Sequence, residues 1–332
     1  MKRGVFDTLR RGLDNLVANW QLVAIRVAEG LFFALLAVLT AFAILVPILV
    51  SVGIELAEIH TPDDLRGAAF SLLEKWPLLA WAFVAVLLLV LVFVAVHSAV
   101  EAGSARVYVD GDRAGGPEME GARTRFHAFS MERWWAGARQ GWWTIFWIYN
   151  LAWGVGGLFL LIPLLPTLGM TLIFQDVPAV SITSGCVGLV LTALLAILVT
   201  VVTSIWTNRA IADWATLGTG ASKSLSHAWA AMKADLGRHV LLALGLLIVA
   251  MAGSSVFASF SAIGALGQVM HERALFGLAS LPLRFAGTFL NMIFSSFVSA
   301  WALASFAALS VESSSRRVAE SSSGGVPVSG TI

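Results

Sequence analysis

The chain has 332 residues, of which 58% are hydrophobic and 12% charged, with a net charge of +1. A soluble domain carries roughly 25% charged residues, so this composition and the mean hydropathy of +0.84 exclude an ordinary soluble protein and indicate a membrane protein. The near-neutral charge gives no indication of a nucleic-acid partner. A single cysteine, Cys186, excludes a disulfide within the chain.

The first predicted helix is amphipathic. Apolar residues recur at helical spacing at Phe6, Leu9, Leu13, Leu16, Val17 and Trp20, and polar residues fill the other face at Asp7, Arg10, Arg11, Asp14, Asn15 and Asn19. This pattern is typical of a helix that lies in a membrane surface, with Trp20 at the level of the headgroups. Its basic residues predict contact with anionic lipids.

Six uncharged stretches are long enough to cross a bilayer, which needs about 20 apolar residues. They are Gly30–Ile54, Pro77–Val96, Gln140–Gln175, Val177–Asn208, Val240–Val269 and Phe285–Val311. We therefore predict an all-α, polytopic membrane protein with six transmembrane helices. Pro163 and Pro166 predict that the third span bends or ends near them.

The basic residues are distributed unevenly between the two ends of these spans. Of 21 Lys and Arg residues, 16 lie in the segment before the first spanning helix, after the sixth span, or between the second and third and the fourth and fifth spans. Four lie in the other connections, and Arg26 lies inside the first helix near its start. The positive-inside rule then places both termini in the cytoplasm and the protein in the inner (cytoplasmic) membrane.

The composition of the segments outside the spans predicts their secondary structure. The external segment Glu55–Trp76 is expected to contain a short helix capped by Thr61. The cytoplasmic segment Glu101–Arg125 is mixed in charge and rich in glycine, which predicts a loop. Residues 312–332 are rich in Ser and Gly and are expected to be a disordered cytoplasmic tail.

A surface helix followed by a spanning hairpin is predicted to occur three times within a six-span domain of residues 1–311. Placing Phe6 over Phe129 and over Leu225 aligns three amphipathic segments, each of which precedes two spans. The units cover about residues 5–110, 126–218 and 221–311. They would be parallel rather than inverted repeats. Three unrelated hairpins joined by amphipathic linkers are the alternative.

The first two units end in similar sequences. Arg106-Val-Tyr-Val-Asp110-Gly111 follows the second span, and Arg209-Ala-Ile-Ala-Asp213 follows the fourth. Arg and Asp four residues apart pair along a helix, and we interpret both pairs as solvated helix ends.

These features resemble a loose group of bacterial and archaeal six-span proteins, which includes the membrane domain attached to some glycerophosphodiester phosphodiesterases. The resemblance covers Phe6 to Val311 and rests on the amphipathic segments, on Arg106…Asp110-Gly111, and on an apolar stripe from Leu225 to Leu236. It implies a fold and not an activity, because no stretch of the chain corresponds to the phosphodiesterase domain.

Six polar residues in or beside the spans are candidate functional positions: Arg26, Glu29, His97, Glu101, Asn150 and Asn291. Arg26 and Glu29 lie three apart on one helix face, which fits an ion pair at a polar entrance to the bundle or ordinary residues where a surface helix enters the membrane. His97 and Glu101 are interpreted as interfacial rather than as a proton relay. No His or Cys has metal-ligand spacing and no catalytic motif is found, so we predict no metal, no cofactor and no enzymatic activity.

Small residues repeat every four positions in the last two spans. They are Ala250, Ser254, Ala258 and Ala262 in the fifth span, and Gly287, Asn291, Ser295 and Ser299, beside Ser296, Ala300, Ala304 and Ala308, in the sixth. Such stripes let membrane helices approach closely. We predict that Ala258 lies at the seam between these helices and that Leu246 faces lipid. A solute path lined by the small residues is the alternative.

The sequence favours a non-enzymatic membrane protein, a scaffold or partner subunit that contacts a protein partner or a second copy of itself. The reason is abundant amphipathic and Trp-rich surface with few ionisable groups inside the spans. The alternative is a transporter or permease subunit for an apolar or amphiphilic solute, because such a path needs few charges.

Overall fold

A computed structural model describes residues 3–57, 75–116, 123–174, 177–269 and 273–323. Over these ranges the chain forms eight α-helices, one short 3-10 helix and no strand. The helices are α1 (Val5–Ala18), α2 (Gln21–Ala57), α3 (Trp76–Gly115), α4 (Met131–Ile173), α5 (Pro178–Leu217), α6 (Ala221–Ala234), α7 (Leu236–Val269) and α8 (Arg273–Ser323), and the 3-10 helix is Arg123–Phe126.

Six of the helices, α2 to α5, α7 and α8, are long and apolar enough to cross a membrane. The protein is therefore an all-α, multi-pass membrane protein, which confirms the prediction of six spans. Even α7, with 34 residues, is about 50 Å long at ~1.5 Å per residue. Because the hydrocarbon core of a bilayer is about 30 Å thick, each of these helices extends beyond it.

The chain divides into two compact units, residues 26–97 and residues 1–25 together with 98–332. In the smaller unit α2 and α3 run antiparallel. The rings of Phe33 and Phe93 lie 4.6 Å apart, and the indole N–H of Trp81 donates to the Ala43 carbonyl at 3.1 Å. The division into three sequence units stays a prediction.

In the larger unit α4 packs against α5, and α7 packs against α8. Most of its buried side chains gather at one end of these two hairpins, which we call the cap. The cap consists of α1, residues 98–115 of α3, residues 123–145 around the start of α4, residues 203–217 of α5, α6, residues 236–246 of α7 and residues 298–318 of α8. Tyr108, Ile145, Ile211 and Leu303 are fully buried in it. Beyond the cap, the hairpins expose apolar side chains of the kind that lipid covers.

One part of the cap, at the end of α3, lies where the sequence predicted a loop. α3 continues to Gly115, so the interpretation of Glu101–Arg125 as a loop is wrong as far as that residue. Its glycines let neighbouring groups approach closely, because a methyl group at Gly103 would overlap the ring of Trp134 and one at Gly115 would overlap the ring of Phe126. The glycines that suggested a loop are packing positions.

Two other helices run further than predicted. α8 continues to Ser323, so the first twelve residues of the expected disordered tail are helical. α8 also begins at Arg273, within the expected loop between the last two spans. α4 does not end at Pro163 or Pro166, since it runs through both. The short helix predicted to start at Thr61 lies outside the described residues.

A small residue brings α7 and α8 close together, but it is Gly253, which is not a member of the predicted stripes. A methyl group at Gly253 would overlap the ring of Phe294, so α7 approaches α8 closely there. Ala300 and Ala304 of the predicted stripe are fully buried, but they pack in the cluster of buried side chains that α8 shares with α1, α3 and α5, which has no residue of α7. Ala258 is exposed and Leu246 is only 5% exposed, so both predictions for these residues are wrong.

Candidate functional site

α1 buries one side that carries both polar and apolar residues. Arg11, Asn15, Leu16 and the following Asn19 are at most 2% exposed, whereas Phe6 is 86% and Trp20 61% exposed. Arg10 is also exposed, so the buried side does not coincide with the apolar side of the predicted amphipathic helix. Arg11 contacts protein and is not available to anionic headgroups.

Arg11 joins α1 to the end of α3. Its Nε donates to the Asp112 carboxylate, and its Nη2 donates to the carbonyls of Asp112 at 2.8 Å and Gly116 at 2.6 Å. The guanidinium also lies 5.0 Å from the centre of the Phe126 ring. Several hydrogen bonds to one buried guanidinium offset part of the cost of removing it from water.

Asn19 ties the end of α1 to the segment before α4. Its Oδ1 accepts from the backbone N–H groups of Ala128 and Phe129 at 2.8 and 2.9 Å. Its Nδ2 donates to the Phe126 carbonyl at 2.8 Å. One side chain thus satisfies three backbone groups that no helix pairs, and it fixes the point where the chain turns from α1 into α2.

A second buried ion pair joins α7 to α8. Arg238 Nη2 lies 2.6 Å from Glu312 Oε2, and Nη1 lies 3.3 Å from Glu312 Oε1, so the pair is bidentate. Arg238 Nη2 also donates to Thr8 Oγ1 at 3.0 Å, which brings α1 into the same cluster. Burial and the charge of Arg11 lower the pKa of the nearby Arg3, which stays charged at neutral pH.

A third buried pair joins α5 to α8. Arg209 and Asp213 lie 3.1 Å apart along α5, with side chains only 2% and 1% exposed. Ser310 Oγ donates to Asp213 at 2.6 Å, and Arg209 donates to Ser313 Oγ at 2.7 Å. The interpretation of this pair as a solvated helix end is wrong. The matching pair of Arg106 and Asp110, at 3.8 Å, is partly exposed.

A polar cavity of about 280 Å³ lies beside the second and third pairs. The polar side chains that line it come from α5, from the start of α7 with the preceding Asp235, and from the end of α8: Arg209, Asp235, Arg238, His239, Ser313, Arg316 and Arg317. Four arginines converge on this cavity, so the arrangement suits an anion rather than a cation.

Four of the predicted functional residues lie on α2 and α3. Glu29 Oε1 is 2.7 Å from His97 Nδ1, so Glu29 pairs across the hairpin. The ring of Phe93 stacks on His97 with centres 5.5 Å apart. Arg26 and Glu101 are both buried. The sequence placed Glu29 with Arg26 and His97 with Glu101 but did not predict the contact of Glu29 with His97.

The two predicted asparagines lie elsewhere. Asn150 is exposed and its Nδ2 donates to the Phe146 carbonyl of its own helix at 2.7 Å, so it does not pack between helices. Asn291 is half-buried in α8, and its Oδ1 has no hydrogen-bond partner among the described residues. The structure does not bring these two residues together with the cap.

α4 exposes a row of tryptophans. Five of them are between 41% and 53% exposed: Trp135, Trp142, Trp143, Trp147 and Trp153. The guanidinium of Arg139 lies 5.3 Å from the centre of the Trp135 ring. We call these six residues the Trp face.

Two apolar cavities open beside the hairpins. One of about 660 Å³ lies between α4, α5 and α6 and is lined by Gly156, Trp206 and Trp229, among others. The other, of about 410 Å³, lies between α5, α7 and α8, and members of both predicted small-residue stripes, such as Ser254 and Ser295, line it. Part of each stripe therefore faces a cavity instead of the neighbouring helix.

Comparisons with protein families, with curated proteins and with solved structures return no match. The resemblance to the six-span proteins with phosphodiesterase domains therefore stays a prediction.

Proposed function

We propose that the protein is a non-enzymatic membrane scaffold or partner subunit, and that the Trp face of α4 is where a partner binds. The partner is either another membrane protein or a second copy of this chain. We further propose that the protein lies in the inner membrane with the cap and both termini in the cytoplasm, since the cap carries most of the basic residues.

The length of the Trp face supports this proposal. Trp135 and Trp153 are 18 residues apart, which is about 27 Å along a helix. The headgroup layer on each side of a bilayer is only about 5–8 Å thick, so a lipid interface accounts for a few of these side chains and not for the whole row. Exposed Trp beside Arg is the composition of binding hot spots in protein interfaces.

Site-specific photo-crosslinking in native membranes tests the proposal. A photoreactive residue at Trp142 is expected to form a discrete protein adduct. The matched control is Leu189, which is 70% exposed on the neighbouring helix α5 outside the Trp face, and it should give lipid adducts only. Lipid adducts alone at both positions would show that the Trp face has no protein partner.

The two apolar cavities favour a second candidate, a carrier for an amphiphilic solute such as a phospholipid. Val155 lines the larger cavity, and Leu158, one turn away, is exposed outside it. If the protein carries phospholipid, proteoliposomes should move a fluorescent phospholipid between leaflets faster than empty vesicles do. Val155→Trp should then slow the movement severalfold and Leu158→Trp should not. A rate equal to that of empty vesicles would reject this candidate.

A further inference from the structure

The cavity lined by arginines in the cap has a surplus of positive charge. Its four guanidiniums belong to Arg209, Arg238, Arg316 and Arg317. Three carboxylates oppose them: Asp235 lines the cavity, Asp213 pairs with Arg209, and Glu312 pairs with both Arg238 and Arg316. One positive charge remains in excess before His239 is counted.

Several donor groups around this cavity are left unused. Nε of Arg209, of Arg238 and of Arg316 is buried and has no hydrogen-bond partner among the described residues. Arg317 forms no ion pair with any acidic residue in the described part of the chain. A buried donor without a partner costs free energy. These Nε atoms are closed off from solvent, so the donors open to a ligand in the cavity include those of the exposed Arg317.

His239 forms part of the cavity wall. Its Nδ1 lies 2.8 Å from the Asp235 carbonyl, so Nδ1 carries the hydrogen. Nε2 is closed off from solvent and has no partner among the described residues, so the ring shapes the wall and contributes no open donor to the cavity.

The cavity lies where polar chain meets apolar span. The uncharged stretch of α7 begins at Val240, directly after His239, and that of α8 ends at Val311, directly before Glu312. In a bilayer this boundary lies near the headgroup layer. A phosphate carried on a lipid is therefore within reach of the cavity, as is a soluble phosphate compound from the aqueous side.

We propose that this cavity is a binding site for a phosphate group, borne either by the headgroup of an anionic phospholipid or by a soluble phosphate compound. Planar guanidiniums match the oxygens of phosphate in pairs, and three helices, α5, α7 and α8, supply them here. The site is separate from the Trp face, so it stands or fails independently of the proposed scaffold function.

The test uses the full chain in nanodiscs and has two arms that distinguish the sources. In the first arm, inorganic phosphate is titrated against protein in nanodiscs of phosphatidylcholine and binding heat is measured, with chloride as the reference anion. In the second, protein from mixed phosphatidylcholine and phosphatidic acid membranes is analysed by native mass spectrometry for retained lipid. Saturable heat in the first arm indicates a soluble ligand, and selective retention of phosphatidic acid indicates a lipid headgroup; either result supports the site.

Two variants tie the binding to this cavity. Arg317→Glu reverses an exposed charge that takes part in no described ion pair, and Ala234→Phe narrows the cavity without changing charge. Both should weaken binding about tenfold or more, the effect of losing a hydrogen bond to a charged group. Lys223→Glu, an exposed residue of α6 outside the cavity, makes the same charge change and should bind as wild type. Binding in neither arm, or equal binding by all four proteins, would overturn the proposal.

Discussion

Replacing Arg11 by methionine removes the positive member of the buried ion pair between α1 and α3. The side chains of Arg11 and Asp112 are 2% and 1% exposed. The variant leaves the Asp112 carboxylate buried without its partner and also frees two backbone carbonyls that Nη2 contacts. Removing one member of a buried pair costs about 3–5 kcal/mol, and we expect a loss of stability of that size.

Two further variants separate the charge effect from packing. Arg10 is the neighbouring residue and is exposed, so Arg10→Met should change stability by no more than about 0.5 kcal/mol. Arg11→Met combined with Asp112→Leu removes both charges. Because apolar residues of similar volume often replace a buried pair at little cost, the double variant should recover much of the loss.

Equilibrium unfolding in mixed micelles, followed by tryptophan fluorescence, measures the free energies of unfolding. Amide exchange over Val5–Ala18 shows whether α1 is the part that loosens. If Arg11→Met is as stable as Arg10→Met and α1 exchanges no faster, the buried pair does not hold α1 in the cap.

Two further changes test the cap. Gly141→Ala places a methyl group against the ring of Trp214 and should lower stability by about 1–3 kcal/mol through overpacking. The control Gly154→Ala faces open space and should not destabilise the protein. Thermal unfolding in detergent compares the two variants, and equal melting temperatures would contradict the contact of Gly141 with Trp214. Asn19→Ala removes hydrogen bonds to three backbone groups and should lower the free energy of unfolding by about 1–3 kcal/mol. Asn150→Ala is the control and should change it little. Chemical unfolding measures both variants, and equal losses of stability would contradict the role of Asn19.

The number and approximate positions of the spans could be predicted from the sequence, because an uncharged apolar run is a local property. The side of α1 that is buried could not be predicted. An amphipathic pattern does not show which residues meet protein, and the partner of Arg11 lies 101 residues away. Apart from the pair of Arg209 and Asp213, the polar groups that hold the cap together therefore showed no pairing in the sequence.

The loop predicted for Glu101–Arg125 was inferred from composition, and composition did not show how these residues pack. Mixed charge and glycine usually indicate a turn or loop, but here Asp112 is paired and Gly103 and Gly115 admit aromatic rings. Similarly, the helical spacing of Arg209 and Asp213 fits a solvated pair as well as it fits a buried pair. Only the packing of α8 against α5 shows that this pair is buried.

Because the cap lies at one end of the hairpins of the larger unit, its elements are expected to share one side of the membrane while six helices cross it. Single cysteines in a Cys186→Ala background test it most directly, at Asp7 and Lys223 in the cap and at Thr61 between the first two spans. A membrane-impermeant maleimide should label Thr61→Cys in intact cells, and it should label Asp7→Cys and Lys223→Cys only after the membrane is permeabilised. Labelling of either cap position from the same side as Thr61→Cys would contradict the account.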